Sequence, residues 1–401
     1  MTGLRDLILT FGKIGLLSFG GPVAQIGVMH RELVEQKHWL SDAEFTRGLT
    51  FAMLLPGPEA MQLCTYAGWK RRGTLGGLIA GALFVLPGAV FMAAITLAYL
   101  RWGQTPDVVA AFLGIKAAVI VVVAQALIRL DAKMITSLQP RLLAFVAFLV
   151  LTLGLAPFPV VVLAAALVGA FTAPPGPRAT TAVSSAPRFG RSVTTAILWG
   201  AIWLAPLVVL WATSAGRLTE ISAFFTRLAA FSFGGAYALL AWMSDALVTD
   251  KGWLSPQHMI DGLGLAETTP GPLVLVTQFA AMVAAAPLGP GHMAAAALLT
   301  LWAIFTPCFG LVFTLAPHLD RLTDNPRLSS ALDAVSAAIV GVIASLTVFF
   351  ARHTLITDGM FDLRALGLTG LAGLLLFQLR LPLPILLIVM AIAGATVGWL
   401  T

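Results

Sequence analysis

The sequence predicts an all-α polytopic membrane protein of two homologous repeats, expected to be inverted, with broken or re-entrant helices. Three observations predict it. Hydrophobic residues make up 59% of the 401 positions and charged residues only 10%, against roughly a quarter charged in a soluble domain. Uncharged runs over 74–100 and 142–177 exceed the about 20 residues that cross a bilayer. One segment also occurs twice. Ser18-Phe19-Gly20-Gly21-Pro22 returns as Ser232-Phe233-Gly234-Gly235-Ala236, Trp39-Leu40-Ser41 as Trp253-Leu254-Ser255, and Pro56-Gly57-Pro58 as Pro270-Gly271-Pro272, each 214 positions on (232−18, 253−39, 270−56).

The repeat sets the domain organisation. Ile115-Lys116-Ala117-Ala118-Val119 aligns with Val335-Ser336-Ala337-Ala338-Ile339, and Pro87 with Pro307, at an offset of 220. Ala156-Pro157-Phe158-Pro159 aligns with Leu381-Pro382-Leu383-Pro384 at 225, a drift that a few loop insertions produce. The expected divisions are a first membrane repeat over 1–172, a Pro/Ser/Thr-rich linker over 173–191, a connecting transmembrane helix over 192–213 and a second repeat over 214–401. One added span between copies that each hold an even number of crossings turns the second copy over. Charge agrees. The early loops of the first copy carry Arg31, Lys37, Lys70, Arg71 and Arg72, whereas the aligned places hold Asp245, Lys251 beside Asp250, and uncharged Ala284-Ala285-Ala286-Pro287. The Lys/Arg bias places the first set in the cytoplasm and the second outside.

The first elements of each copy are short. Helices are expected over 4–19 and 22–35, hinged at Gly20-Gly21. Ser41-Asp42-Ala43-Glu44 has capping-box form, with Ser41 as N-cap and Glu44 reaching back to its amide. The helix it starts runs to Leu55, where Pro56-Gly57-Pro58 stops it, because proline removes a donor and clashes with the preceding turn. A further short helix runs over 58–69. About fourteen residues span only ~21 Å, short of the ~30 Å hydrocarbon core. Two such pieces cross end to end, or fold back as a hairpin with its tip at mid-depth. The hairpin keeps Lys37 and Lys70 to Arg72 on one side, as the charge rule prefers.

A helix broken at membrane depth presents backbone N–H groups and about half a positive charge at its second start, which favours an anion. Irregular backbone survives at that depth only inside protein or beside a watery cavity. Each copy offers two such starts, and proline suits a first helical position. Candidate substrate-binding residues are therefore Ser18, Gly20, Gly21, Gln25, Pro56, Gly57, Pro58 and Gln62 in the first copy. In the second they are Ser232, Gly234, Gly235, Thr268, Thr269, Pro270, Gly271 and Pro272, with Gln278 as a further donor. The alternative reading is kinks without a ligand, since Gly and Pro are common in membrane helices. Lys13 and its mate Arg227 (227−13=214) either balance a divalent anion or snorkel to the interface. Glu59 and Glu267 either carry a coupling proton or cap helix starts. Lys116, matched by Ser336, breaks the symmetry if it faces the pathway.

Composition also excludes classes. The net charge of +6 reports inside-facing Lys and Arg, not a nucleic-acid partner. Cys64 and Cys308, the two cysteines, show neither a disulfide framework nor metal-ligand spacing, and the six histidines show none either. Lys13 interrupts the first apolar stretch, so no cleavable signal is expected. No nucleophile triad, phosphate loop or zincin pattern appears. Neither a cofactor nor an enzyme activity is expected.

Through Phe19 to Pro22, His38-Trp39-Leu40, Leu55-Pro56-Gly57-Pro58 and Thr269-Pro270-Gly271-Pro272, the sequence resembles the chromate ion transporter family over nearly its whole length. That family has two-repeat members. The resemblance implies export of chromate across the cytoplasmic (inner) membrane, chromate resistance, sulfate as a related substrate, and energy from the membrane potential or a proton gradient. Ala236 in place of the first copy's Pro22 departs from the pattern. The expected mechanism is movement of one repeat against another, in a chain that could form an oligomer. Alternatives are a permease for sulfate or another inorganic anion, or a non-transporting membrane protein.

Overall fold

A computed structural model describes residues 3–135, 137–173, 189–233, 236–319, 326–357 and 359–400. Its architecture is helical, apart from a two-residue antiparallel pairing of Ile356–Thr357 with Met360–Phe361 among the described residues. Five helices there are long and apolar enough to cross a membrane. The linker expected over 173–191 lies largely outside the described residues.

Each half opens with two helical hairpins. In the first, α1 (Leu4–Leu17) runs in and α2 (Gly21–His30), extended by a π-helical turn over Arg31–Gln36, runs back. Asp6 pairs with Lys37 at 2.7 Å and Lys13 with Glu32 at 2.6 Å, which fixes the two arms antiparallel. Next, α3 (Asp42–Leu54) runs in and the first piece of α4 (Glu59–Trp102) returns. Glu44 at the start of α3 pairs with Lys70 near the end of that piece. The expected capping box is formed, with the Ser41 hydroxyl accepting from the Glu44 amide at 3.3 Å and the carboxylate accepting from the Ser41 amide at 3.0 Å. A break at Arg72-Gly73 then reverses the chain into the long second piece of α4. The re-entrant expectation therefore holds, and the tips carry Ser18 to Gly20 and Pro56 to Pro58.

The second half repeats the plan. α9 (Arg217–Ala230) and α10 (Ala236–Ser244) form one hairpin. α11 (Pro256–Thr268) and α12 (Val276–Ala285), the latter entered through a 3-10 turn over Leu273–Leu275, form the other. α13 (Pro290–Leu315) is the long return. Trp39 lies under Lys37 and Arg71, at 6.0 and 5.6 Å; its mate Trp253 lies under Lys251 and Arg217, at 4.7 and 5.0 Å. These cation–π stacks close the surface ends of the hairpins.

The remaining helices interlace the halves. The first half continues with α5 (Pro106–Met134) and the short pair α6 (Leu138–Thr152) and α7 (Phe158–Thr172). α8 (Phe189–Ala212) leads to the second half, which ends with α14 (Pro326–Leu355), α15 (Leu363–Gly373) and α16 (Leu383–Leu400). The α6–α7 pair packs on α14 of the other half, and α15–α16 packs on α5. Glycines allow it: a Cβ at Gly114 would overlap the Met390 carbonyl, and one at Gly341 the Ala144 carbonyl. Close backbone contact through small residues is the usual adhesive between membrane helices, where lipid removes the hydrophobic drive.

Candidate functional site

The two Pro-Gly-Pro turns sit at the centre, and each is bound by the opposite half. The Gly57 amide donates to the Ser232 carbonyl at 2.8 Å, and the Gly271 amide to the Ser18 carbonyl at 2.9 Å. Both pairs obey the 214-residue offset, so each half's second tip is held by the other half's first tip. Gly57 and Gly271 have φ of +119° and +84°, a region that costs a side-chain-bearing residue about 1–3 kcal/mol. The tips also rest on the long helices. Gly88 of α4 lies against the Pro270 carbonyl, and Cys308 of α13, its mate at 220, lies where a Gly57 Cβ would be 2.7 Å from its sulfur.

Between the tips lies a cavity lined by Gln25, Gly57, Pro58, Glu59, Ser232 and Pro272, together with the first turns after Pro58 and Pro272 and the start of α10. It measures about 20 Å³, close to the space of one water molecule. Four unsatisfied N–H groups begin any helix and need partners when buried. The helix starts after Gly20, Pro58 and Pro272 have no side-chain cap. By contrast, α3 and α11, which start at the outer ends of the hairpins, both carry capping boxes, Ser41 with Glu44 and Ser255 with His258. The outer starts of α1 and α9, after Gly3 and Gly216, have no side-chain cap, so what sets the starts after Pro58 and Pro272 apart is that both border the cavity.

The polar side chains expected to donate to a ligand are mostly committed to the protein. Gln25 Nε2 donates to the Gly271 carbonyl at 2.7 Å, Gln62 Nε2 to the Pro56 carbonyl at 2.7 Å, and Gln278 Nε2 to the Ala89 carbonyl at 3.0 Å. The hydroxyls of Ser18, Ser232, Thr268 and Thr269 each donate to a carbonyl three or four residues back. They brace the turns. Gly20 and Gly21 make the first tip with φ of +86° and +79°; Gly234 and Gly235 lie outside the described residues.

The charged candidates are dispersed. Lys13 is half-exposed and bound to buried Glu32, and Arg227 is exposed, with Nε on its own helix's Ala223 carbonyl. Neither lines the cavity. Glu59 does. Glu267 is buried, accepting from the Tyr237 hydroxyl at 2.6 Å, with its other oxygen lacking a hydrogen-bond partner among the described residues. Lys116 lies 3.8 Å from Asp261, to which Tyr99 donates at 2.8 Å. The sequence reading missed Gly88, Cys308, Tyr237, Tyr99 and Asp261. The Pro87 and Pro307 mates pointed to the first two, since their neighbours at one offset meet opposite turns. An acid buried in a membrane helix was the overlooked signal for Asp261.

Comparison with known proteins agrees with this architecture. The chromate transporter family matches residues 5–170 and 219–399, one segment per half. A probable chromate transport protein of Synechococcus elongatus is 33% identical, covering 98% of this chain and 95% of the relative. The chromate transport proteins of Pseudomonas aeruginosa and Cupriavidus metallidurans are each 31% identical, covering 98% and 88% of this chain and 92% and 84% of their own lengths. No solved structure matches. With both halves matched and near full-length relatives above 30% identity, the chain belongs to the chromate transporter family.

Proposed function

We propose that this chain is a secondary transporter, not an enzyme, that exports chromate through the cytoplasmic (inner) membrane, with sulfate as a related substrate. The observation that carries the reading is the convergence of the uncapped starts after Pro58 and Pro272, one from each half, on one cavity. Amides and helix dipoles there favour an oxyanion without a dedicated cation. Chromate and sulfate are both tetrahedral and divalent, so such a lining accepts either. The membrane potential favours the outward direction. Each charge is worth about 2.3 kcal/mol per 100 mV, so a divalent anion leaving a negative interior gains about 4.6 kcal/mol.

We read the two halves, 1–172 and 214–401, as inverted repeats. Two returning hairpins, two long helices and a short returning pair bring the first half back to its starting side, and α8 then adds one crossing. The Lys/Arg-rich hairpin ends of the first half would face the cytoplasm. The interlaced packing favours parting of the tips over rocking of whole repeats, because the α6–α7 and α15–α16 pairs belong spatially to the opposite half. A cavity of about 20 Å³ admits a tetrahedral oxyanion only as the tips separate. Glu59, which lines the cavity, and buried Glu267 are candidate carboxylates for coupling that motion to protons.

Purified protein in liposomes tests the reading. Chromate flux should follow an imposed potential and be competed by sulfate. Liposomes that move neither anion would favour a non-transporting membrane protein.

A further inference from the structure

We propose that Asp261, Tyr99 and Lys116 form a proton-binding site whose occupancy is linked to the anion at the turns. The inference rests on the reading of the turns as the anion site. Asp261 is 5% exposed within α11, accepts from the Tyr99 hydroxyl of α4 at 2.8 Å through one oxygen, and has no hydrogen-bond partner for the other among the described residues. Lys116 of α5 stands 3.8 Å from that second oxygen, beyond hydrogen-bond range. A buried ion pair serves stability only when its geometry is tight and every lone pair is met. This pair is neither, and one oxygen is left open to a proton.

The mirrored place shows that the fold does not require the cluster. The mates of Asp261, Lys116 and Tyr99 are exposed Arg47 (261−214), Ser336 (116+220) and Leu319 (99+220). The groups facing Asp261 electrostatically are Lys116 and Tyr99. α12 and α16, also packed on α11, carry no titratable side chain, and neither does α14 between Asp333 and Arg352. The Lys116 ammonium disfavours a metal cation there, and by favouring the ionised carboxylate it sets how readily Asp261 takes a proton. His258, one turn nearer the outer end of α11, meets the Tyr99 ring at 6.0 Å and gives a protonatable approach.

Asp261 precedes Pro270 by nine residues, roughly 13 Å along α11. A divalent anion at the turns repels an ionised Asp261, so anion binding draws a proton onto it. Tyr237 and Glu267 face another side of the same helix, toward α10.

The test uses the full-length protein in lightly buffered detergent, with chromate as the probe and a protein-free blank. Chromate addition should cause proton uptake by the wild type, and Asp261→Asn should bind chromate yet take up at least fivefold fewer protons. Asp261→Glu should restore the uptake, and Lys116→Gln should move its midpoint to higher pH. An infrared pH titration should also lose one protonated-carboxyl band in Asp261→Asn. Undiminished proton uptake and an unchanged carboxyl band in Asp261→Asn, with chromate still bound, would overturn the proposal and leave the anion site standing. If the wild type binds no chromate, the reading of the turns and the linkage fall together, whereas the infrared band still decides whether Asp261 takes the proton.

Discussion

The amide of Gly57 donates to the carbonyl of Ser232, 2.8 Å away, tying the Pro-Gly-Pro turn of one half to the first tip of the other. Gly57 has φ of +119°, and an added Cβ would lie 2.7 Å from Cys308 Sγ and 2.8 Å from Gln62 Nε2. Gly57→Ala is therefore expected to destabilise the tip by about 2 kcal/mol and to lower chromate flux in liposomes at least tenfold. Cys308→Ala in the same chain removes one clash and should recover part of the flux, while the backbone strain remains. A single Gly57→Ala variant with wild-type flux would remove this turn from the site.

Cys308 reports on the parting of the tips. It is fully buried against Gly57, and Cys64, the other cysteine, is buried beside Met29. In a Cys64→Ala background, a membrane-permeant thiol reagent should label Cys308 slowly at rest and several-fold faster while chromate is turning over. Labelling that ignores substrate would mean that the turns do not separate there.

Much of this arrangement was legible in the sequence, for identifiable reasons. The 214-residue offset marked both tips, and the capping pattern at Ser41 and Glu44 marked where α3 begins, because those signals are local. The pairing of Gly57 with Ser232 and the seating of α15–α16 on α5 depend on contacts more than 170 residues apart in the chain. No local pattern encodes them. The polar candidates illustrate the same limit. Thr268 and Thr269 are candidates as hydrogen-bond donors to a ligand, yet each hydroxyl returns to a nearby helix carbonyl, as does that of Ser18, an option such residues always have.

Glu44 gives a pH signature at the outer end of α3, outside the membrane-spanning helices. Its hydrogen bond with Lys70, followed by the Ser41 amide, lowers its pKa to about 2. A carboxyl depressed when folded adds stability above its unfolded pKa of about 4.3; that stability is lost as pH falls toward about 2. Both partners are about one-third exposed, so solvent screening limits the gain to about 1 kcal/mol or less. Glu44→Gln should melt about 1 °C below wild type at pH 7, and the two should converge as pH falls from about 5 toward about 2. A constant difference across that range would separate the effect from ionisation.

The exchanged helical pairs predict that the halves are obligate partners. The α15–α16 pair closes on α5 through Gly114, and α6–α7 closes on α14 through Gly341, so a lone half exposes helix faces shaped for backbone contact. Residues 1–188 and 189–401 expressed as separate chains should co-purify when made together, whereas either alone should aggregate on extraction. Gly114→Leu, which drives a side chain into the Met390 backbone, should lift α16 and speed proteolysis within 380–400 without first unfolding α13. A half that is monodisperse alone, with thermal stability like the whole chain, would show that the interlaced contacts are not what holds the molecule together.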